Sequence, residues 1–216
     1  MSSRITRSSS LDVVRSLLRS AAKGASSQLA RIGGNGSLRE RLMAFAWRKL
    51  LLTDGKLTAT VARVPDVAAA TVSTSTGRLR IDASFHDGSN LLVTLTPLRC
   101  AFAPRGAKEL SVRAEPESAA LNPRSADIFA AIATEVAHAL WGPFLQRRSG
   151  GRPALAQRHG DVLVVDLRSV PAVRSAMTQP LMASAIEALG LRTVEVAPGG
   201  LKLVPSVPGF EMLDEL

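Results

Sequence analysis

The chain is 216 residues long with a formal net charge of +9 and one cysteine, which is enough for one large domain with a full core and excludes an internal disulfide. No run of eighteen apolar residues is present, so no transmembrane helix is predicted, and the absence of a second cysteine leaves no demand for an oxidising compartment. The positive charge is unevenly placed: residues 1–56 hold eleven Lys and Arg against three acids, a net of +8, whereas residues 57–216 hold sixteen against fifteen, a net of +1.

The opening segment, MSSRITRSSSLDVVRSLLRSAAKG, lacks the continuous apolar core of a secretory signal. It is Arg- and Ser-rich and poor in acids, which is also how an organellar transit peptide reads. Leu11, Val14, Leu18, Ala21, Ala25, Leu29 and Ile32 fall on one helical stripe, with Ser10 placed to cap it. Arg15, Arg19 and Lys23 step by four along a line beside that stripe. Gly33-Gly34-Asn35-Gly36 breaks the pattern, and Ser37 with Glu40 opens a second helix as a capping box, running through Phe45 and Trp47 to Leu50. Residues 1–49 are therefore predicted to be a basic amphipathic helical leader on a body of residues 50–216.

Two roles are open to such a leader. Its helices either dock an apolar face on the body with their arginines in water, or make an interfacial contact. In the second case Arg15, Arg19 and Lys23 meet the headgroups of an anionic membrane, or an acidic protein partner. Clustered cations also suit phosphates. Nucleic acid ranks below membrane or protein, because no aromatic platform, zinc pattern or reading helix accompanies the charge.

From Lys56 the period changes to two. Leu57 to Val64 and Val67 to Thr74 read as strands, followed by Leu79, Ile81, Ala83 and Phe85 on one face of the next. Asp87-Gly88 is a two-residue hairpin signal. The return strand places Leu91, Val93 and Leu95 inward until Pro97, and Glu109 to Glu115 alternates again. The prediction is an antiparallel meander of four to six strands with one wet face. Asn122 caps a long helix with Pro123 at its first position, and Gly142-Pro143 ends it. Its apolar residues, among them Ile132, Val136 and Leu140, cover about half the circumference, wide enough to lie across the meander. A second unit follows: a hairpin around His159-Gly160, a helical stretch from Pro171 to Leu189 that Pro180 makes two short helices or one kinked helix, and strands Leu191 to Val196 and Leu201 to Val204. The fold class is α+β.

The residues that carry chemistry are scattered. His86, His138 and His159 have no paired cysteine, no HExxH spacing and no carboxylate at i+4, so no metal site is predicted. The glycines at 33–36 lie between helices and lack a P-loop lysine. No GxSxG surrounds a serine, and no cofactor is implied. Catalytic residues are not assigned.

The segments GRLRIDASFHDGSNLLVTLTP, the helix from Pro123 to Leu145, and DVLVVDLRSVPAVRSAM through LRTVEVAPGGLKLVP together resemble the pattern of bacterial tubular lipid-binding (TULIP-like) proteins. In that superfamily a long helix lies in the hollow of a bent sheet and the gap holds acyl chains. The resemblance implies an apolar pocket lined by Ile81, Phe85, Val93, Leu95, Ile132, Val136 and Leu140; packed together, the same residues make a dry core. The expected function is non-enzymatic binding of a lipid-like ligand or an anionic membrane surface, in the cytoplasm and peripheral at a membrane. The alternative is a scaffold whose leader pairs with an acidic partner or a second copy.

Overall fold

A computed structural model describes residues 50–102, 106–117, 122–142, 145 and 154–206. The leader, with Arg15, Arg19 and Lys23, lies outside these described residues. They open with a short strand, β1 (Leu50–Thr53), and a helix, α1 (Asp54–Val61), where the sequence predicts a helix end and then a strand. Thr53 decides the start of α1: its side chain accepts from the Lys56 amide at 3.3 Å, and Asp54 places a carboxylate in the first turn. Leu57 and Val61 are both fully buried while Ala59 between them is exposed. That is a period of four, and the alternation is accidental.

The meander is present as β2 (Val67–Ser75), β3 (Arg78–Phe85), β4 (Asn90–Phe102) and β5 (Lys108–Pro116). All neighbouring pairs are antiparallel, and Leu79, Ile81, Ala83 and Phe85 are buried against Leu91, Val93 and Leu95 of the next strand. The β3–β4 turn has three residues where two were expected. The Gly88 amide donates to the Phe85 carbonyl at 2.9 Å, Phe85 donates to Ser89, and Gly88 takes a φ of 80°. This is a type I turn closed by a left-handed residue, the usual three-residue hairpin. Pro97 does not end β4: the strand passes through it with a register shift between Pro97 and Arg99. A bulge accommodates the missing amide.

Helix α2 (Arg124–Trp141) follows, and the Asn122 side chain accepts from the Arg124 amide at 3.0 Å, as a cap should. Ile128, Phe129, Ile132, Val136, Leu140 and Trp141 are buried, leaving Asp127 and His138 exposed on the opposite side. Strands β6 (Gln157–His159) and β7 (Val162–Asp166) form the predicted hairpin. It extends the meander instead of founding a separate unit, giving the order β2-β3-β4-β5-β7-β6.

Helices α3 (Pro171–Met177) and α4 (Pro180–Ala188) are divided at Pro180, the first of the two forms the sequence allows. The last strands, β8 (Gly190–Ala197) and β9 (Gly200–Ser206), pair with β1 in a second sheet of order β1-β9-β8. Gly200 is required there: its φ is 155°, and a Cβ would stand 2.4 Å from the Leu52 carbonyl oxygen. The described residues thus form an α+β fold of nine antiparallel strands in two sheets. The core lies where the main sheet, α2 and the small sheet converge, with Val194, Val196 and Leu201 facing Leu79, Leu95 and Ile132.

Candidate functional site

Two spaces flank α2, and they differ in kind. On its inner side, between the sheets, lies an apolar void of about 40 Å³. Leu95, Ile132 and Val136 of the predicted pocket line it, together with Cys100 and Phe129. Ile81, Val93 and Leu140 are packed in the surrounding core at 1% exposure or less. A water molecule occupies about 30 Å³ of liquid volume, so this void is far below the size of an acyl chain. Burial pushes the Cys100 thiol up to about 11, which leaves almost no thiolate at neutral pH.

On the outer side of α2 lies a groove of about 580 Å³, within the range of small-molecule sites. Its α2 wall carries Arg124, Asp127, Ala130, Ala131, Thr134, Glu135 and His138. That span from Arg124 to His138 covers about 21 Å of helix at 1.5 Å per residue. The opposite wall is the end of α1 and the loop after it, with Thr60, Arg63, Val64, Pro65 and Asp66. Phe85, from the predicted pocket, lines the groove at one end, and Ala154 adds to the floor. Apolar floor and charged rim therefore share one concavity.

The walls are tied together. The Arg124 guanidinium sits 4.2 Å from the Phe85 ring centroid, a cation–π contact. It also donates to Asp87 and to the Ser89 hydroxyl, each at 2.7 Å. Arg124 and Ser89 together hold the Asp87 carboxyl well below the usual carboxylate range, and the Asp87 partnership raises Arg124 in turn. Asp66 takes a left-handed φ of 69° and its carbonyl accepts from the His86 amide at 2.9 Å, fastening the α1–β2 loop to the same hairpin tip. Lys56 of α1 reaches Glu135 of α2 at 2.6 Å, joining the two helices. His138 points its Nδ1 at the Thr134 carbonyl, 2.9 Å away.

Sequence reasoning gives His138 no ligand partner, and the structure places it exposed on the outer face of α2. Sequence reasoning misses the groove itself, because Arg63, Asp66, Arg124 and Glu135 meet only through tertiary packing. Among the described residues, no three His, Cys, Asp or Glu side chains are close enough to hold a metal ion, and no helix is long and apolar enough to cross a membrane. One buried cation lies elsewhere. Lys108 is 1% exposed and donates to the Glu187 carbonyl at 3.0 Å, anchoring α4 to the sheet. Burial lowers its ammonium, partly offset by the Glu187 charge. No family model, curated protein or solved structure matches the chain.

Proposed function

We propose that the protein is a non-enzymatic binding module for an amphipathic, lipid-like ligand, held in the groove on the outer side of α2 and delivered to or drawn from an anionic membrane by the basic leader. The observation that carries this reading is the contrast in volume, about 580 Å³ outside α2 against about 40 Å³ inside it. The tubular lipid-binding resemblance implies an acyl ligand on the inner side, and the packing there favours moving it outward. An apolar chain would lie on Val64, Pro65, Phe85, Ala130, Ala131 and Ala154, while its head meets the polar rim.

Titration with a fluorescent dansyl fatty acid tests the groove. Wild-type protein should bind it saturably, and Ala131→Trp, which fills the floor, should weaken binding at least tenfold. Undiminished binding by the variant would place the ligand elsewhere, and no binding by either protein would overturn the lipid-like assignment.

A further inference from the structure

We propose that the groove is occupied, in the absence of a membrane, by the chain's own leader, with the amphipathic stripe of residues 11–32 lying along α2. This regulation rests on the groove being the ligand site. The stripe and the ligand would then compete for one floor, and an anionic surface that draws the leader away would open it.

Four observations point to this occupant. The first is length: the α2 wall offers about 21 Å, and a helix of residues 11–32 would span about 33 Å, enough to cover it from end to end. The second is shape. Ala130, Ala131 and Ala154 are small and leave room for another helix backbone beside Val64, Pro65 and Phe85. Helix-in-groove recognition needs anchors at three- and four-residue spacing, which Leu11, Val14, Leu18, Ala21 and Ala25 supply.

The third is charge. The groove is lined by Asp66, Asp127 and Glu135 against Arg63 and Arg124, a net of −1; Arg124 is met by Asp87 and Glu135 by Lys56, which leaves Asp66 and Asp127 against Arg63, again a net of −1. Residues 11–32 carry Arg15, Arg19, Lys23 and Arg31 against Asp12, a net of +3. The signs oppose. The fourth is the tether. The chain enters the body at β1, next to α1, whose Lys56 already touches the groove residue Glu135. Residues 33–49 extend at most about 55–60 Å, so the stripe is confined near the groove at a millimolar-scale effective concentration.

Zero-length carbodiimide cross-linking of the full chain at low salt decides the matter. Monomeric protein should yield a peptide joining Lys23 to Asp66, Asp127 or Glu135, and Arg15→Lys and Arg19→Lys variants supply a handle on each neighbouring turn. The link should fall at least fivefold in Ala131→Trp, and the Lys23 link to Asp66 should fall as much in Asp127→Arg, a surface variant that leaves packing untouched and removes only its own carboxylate from the acceptors. Vesicles of phosphatidylcholine with phosphatidylglycerol should abolish it, whereas pure phosphatidylcholine should not. Absence of any such link in the wild type and in both lysine variants, or a link indifferent to both groove variants, overturns the proposal. Links confined to covalent dimers overturn it in favour of a second copy as the occupant. The two ideas fail separately: fatty-acid binding without a link removes the leader's role, and a link without fatty-acid binding removes the ligand.

Discussion

At the scale of single residues, Arg124 carries more of the groove's geometry than any neighbour. Its guanidinium covers Phe85 and joins Asp87 to Ser89, so the start of α2 and the β3–β4 tip move as one. Asp87 is the group whose ionisation reports on that joint, since its carboxyl titrates well below the usual range because Arg124 and Ser89 hydrogen-bond its charged form. A carboxyl depressed on folding contributes stability that is present above its unfolded value near 4 and fades as pH falls below it. Asp87→Asn should therefore melt below wild type at pH 7, with the difference shrinking steadily below about pH 4. Thermal scans from pH 7 to pH 2.5 check this, and a constant difference would show that the charge is irrelevant. Asn can still accept from the Ser89 amide and hydroxyl, so the pH-dependent part of the difference reports the charge that Arg124 and Ser89 together hold.

At the scale of elements, α1 closes an edge that would otherwise be open. Strand β2 ends the main sheet, and its outward amides need acceptors. Thr58 Oγ1 accepts from the Val72 amide at 2.9 Å, and Asp54 accepts both the Thr74 amide and its hydroxyl. Thr58→Val keeps the shape and removes the acceptor. The partly buried Val72 amide then loses about 1 kcal/mol, a fall in melting temperature of about 2–4 °C for a domain of this size. Thr58→Ser should restore it; equal melting of all three proteins would mean that water replaces the hydroxyl without loss. This helix also shows where the sequence ceases to be legible. Strands β2 to β5 and the face of α2 were readable because each buries one side, and burial imposes its period on the residues. In α1 the spacing of Leu57 and Val61 suits both periods, and only the cap at Thr53 separates them. Strand β1 could not be read at all, since just Leu52 of its four residues is buried and its partner, β9, lies at the far end of the body. The groove is invisible for the same reason: its walls come from α1, α2 and a hairpin tip that no local pattern connects.

For the whole molecule, the separation of charge from structure sets the form of its interactions. A body of residues 57–216 with a net charge of +1 has little long-range pull on any partner, so attraction to an anionic surface has to come from the +8 of residues 1–56. Arg15, Arg19 and Lys23 stand on one line of the predicted leader helix, and a basic side chain near an anionic bilayer contributes about 1 kcal/mol. Replacing all three by Ala should thus weaken binding to phosphatidylglycerol-containing vesicles on the order of 100-fold at low salt, the additive loss of about 3 kcal/mol. The same change should leave the melting temperature of the body within a degree or two, because the groove and both sheets are built from other residues. Sedimentation of the protein with vesicles at two salt concentrations separates the terms. Wild-type binding should fall steeply between 50 and 300 mM salt as screening shortens the reach of each charge, while the triple variant should respond weakly. A wild-type protein that binds neutral and anionic vesicles alike would assign the contact to apolar side chains and leave the leader's charge without a role at the membrane.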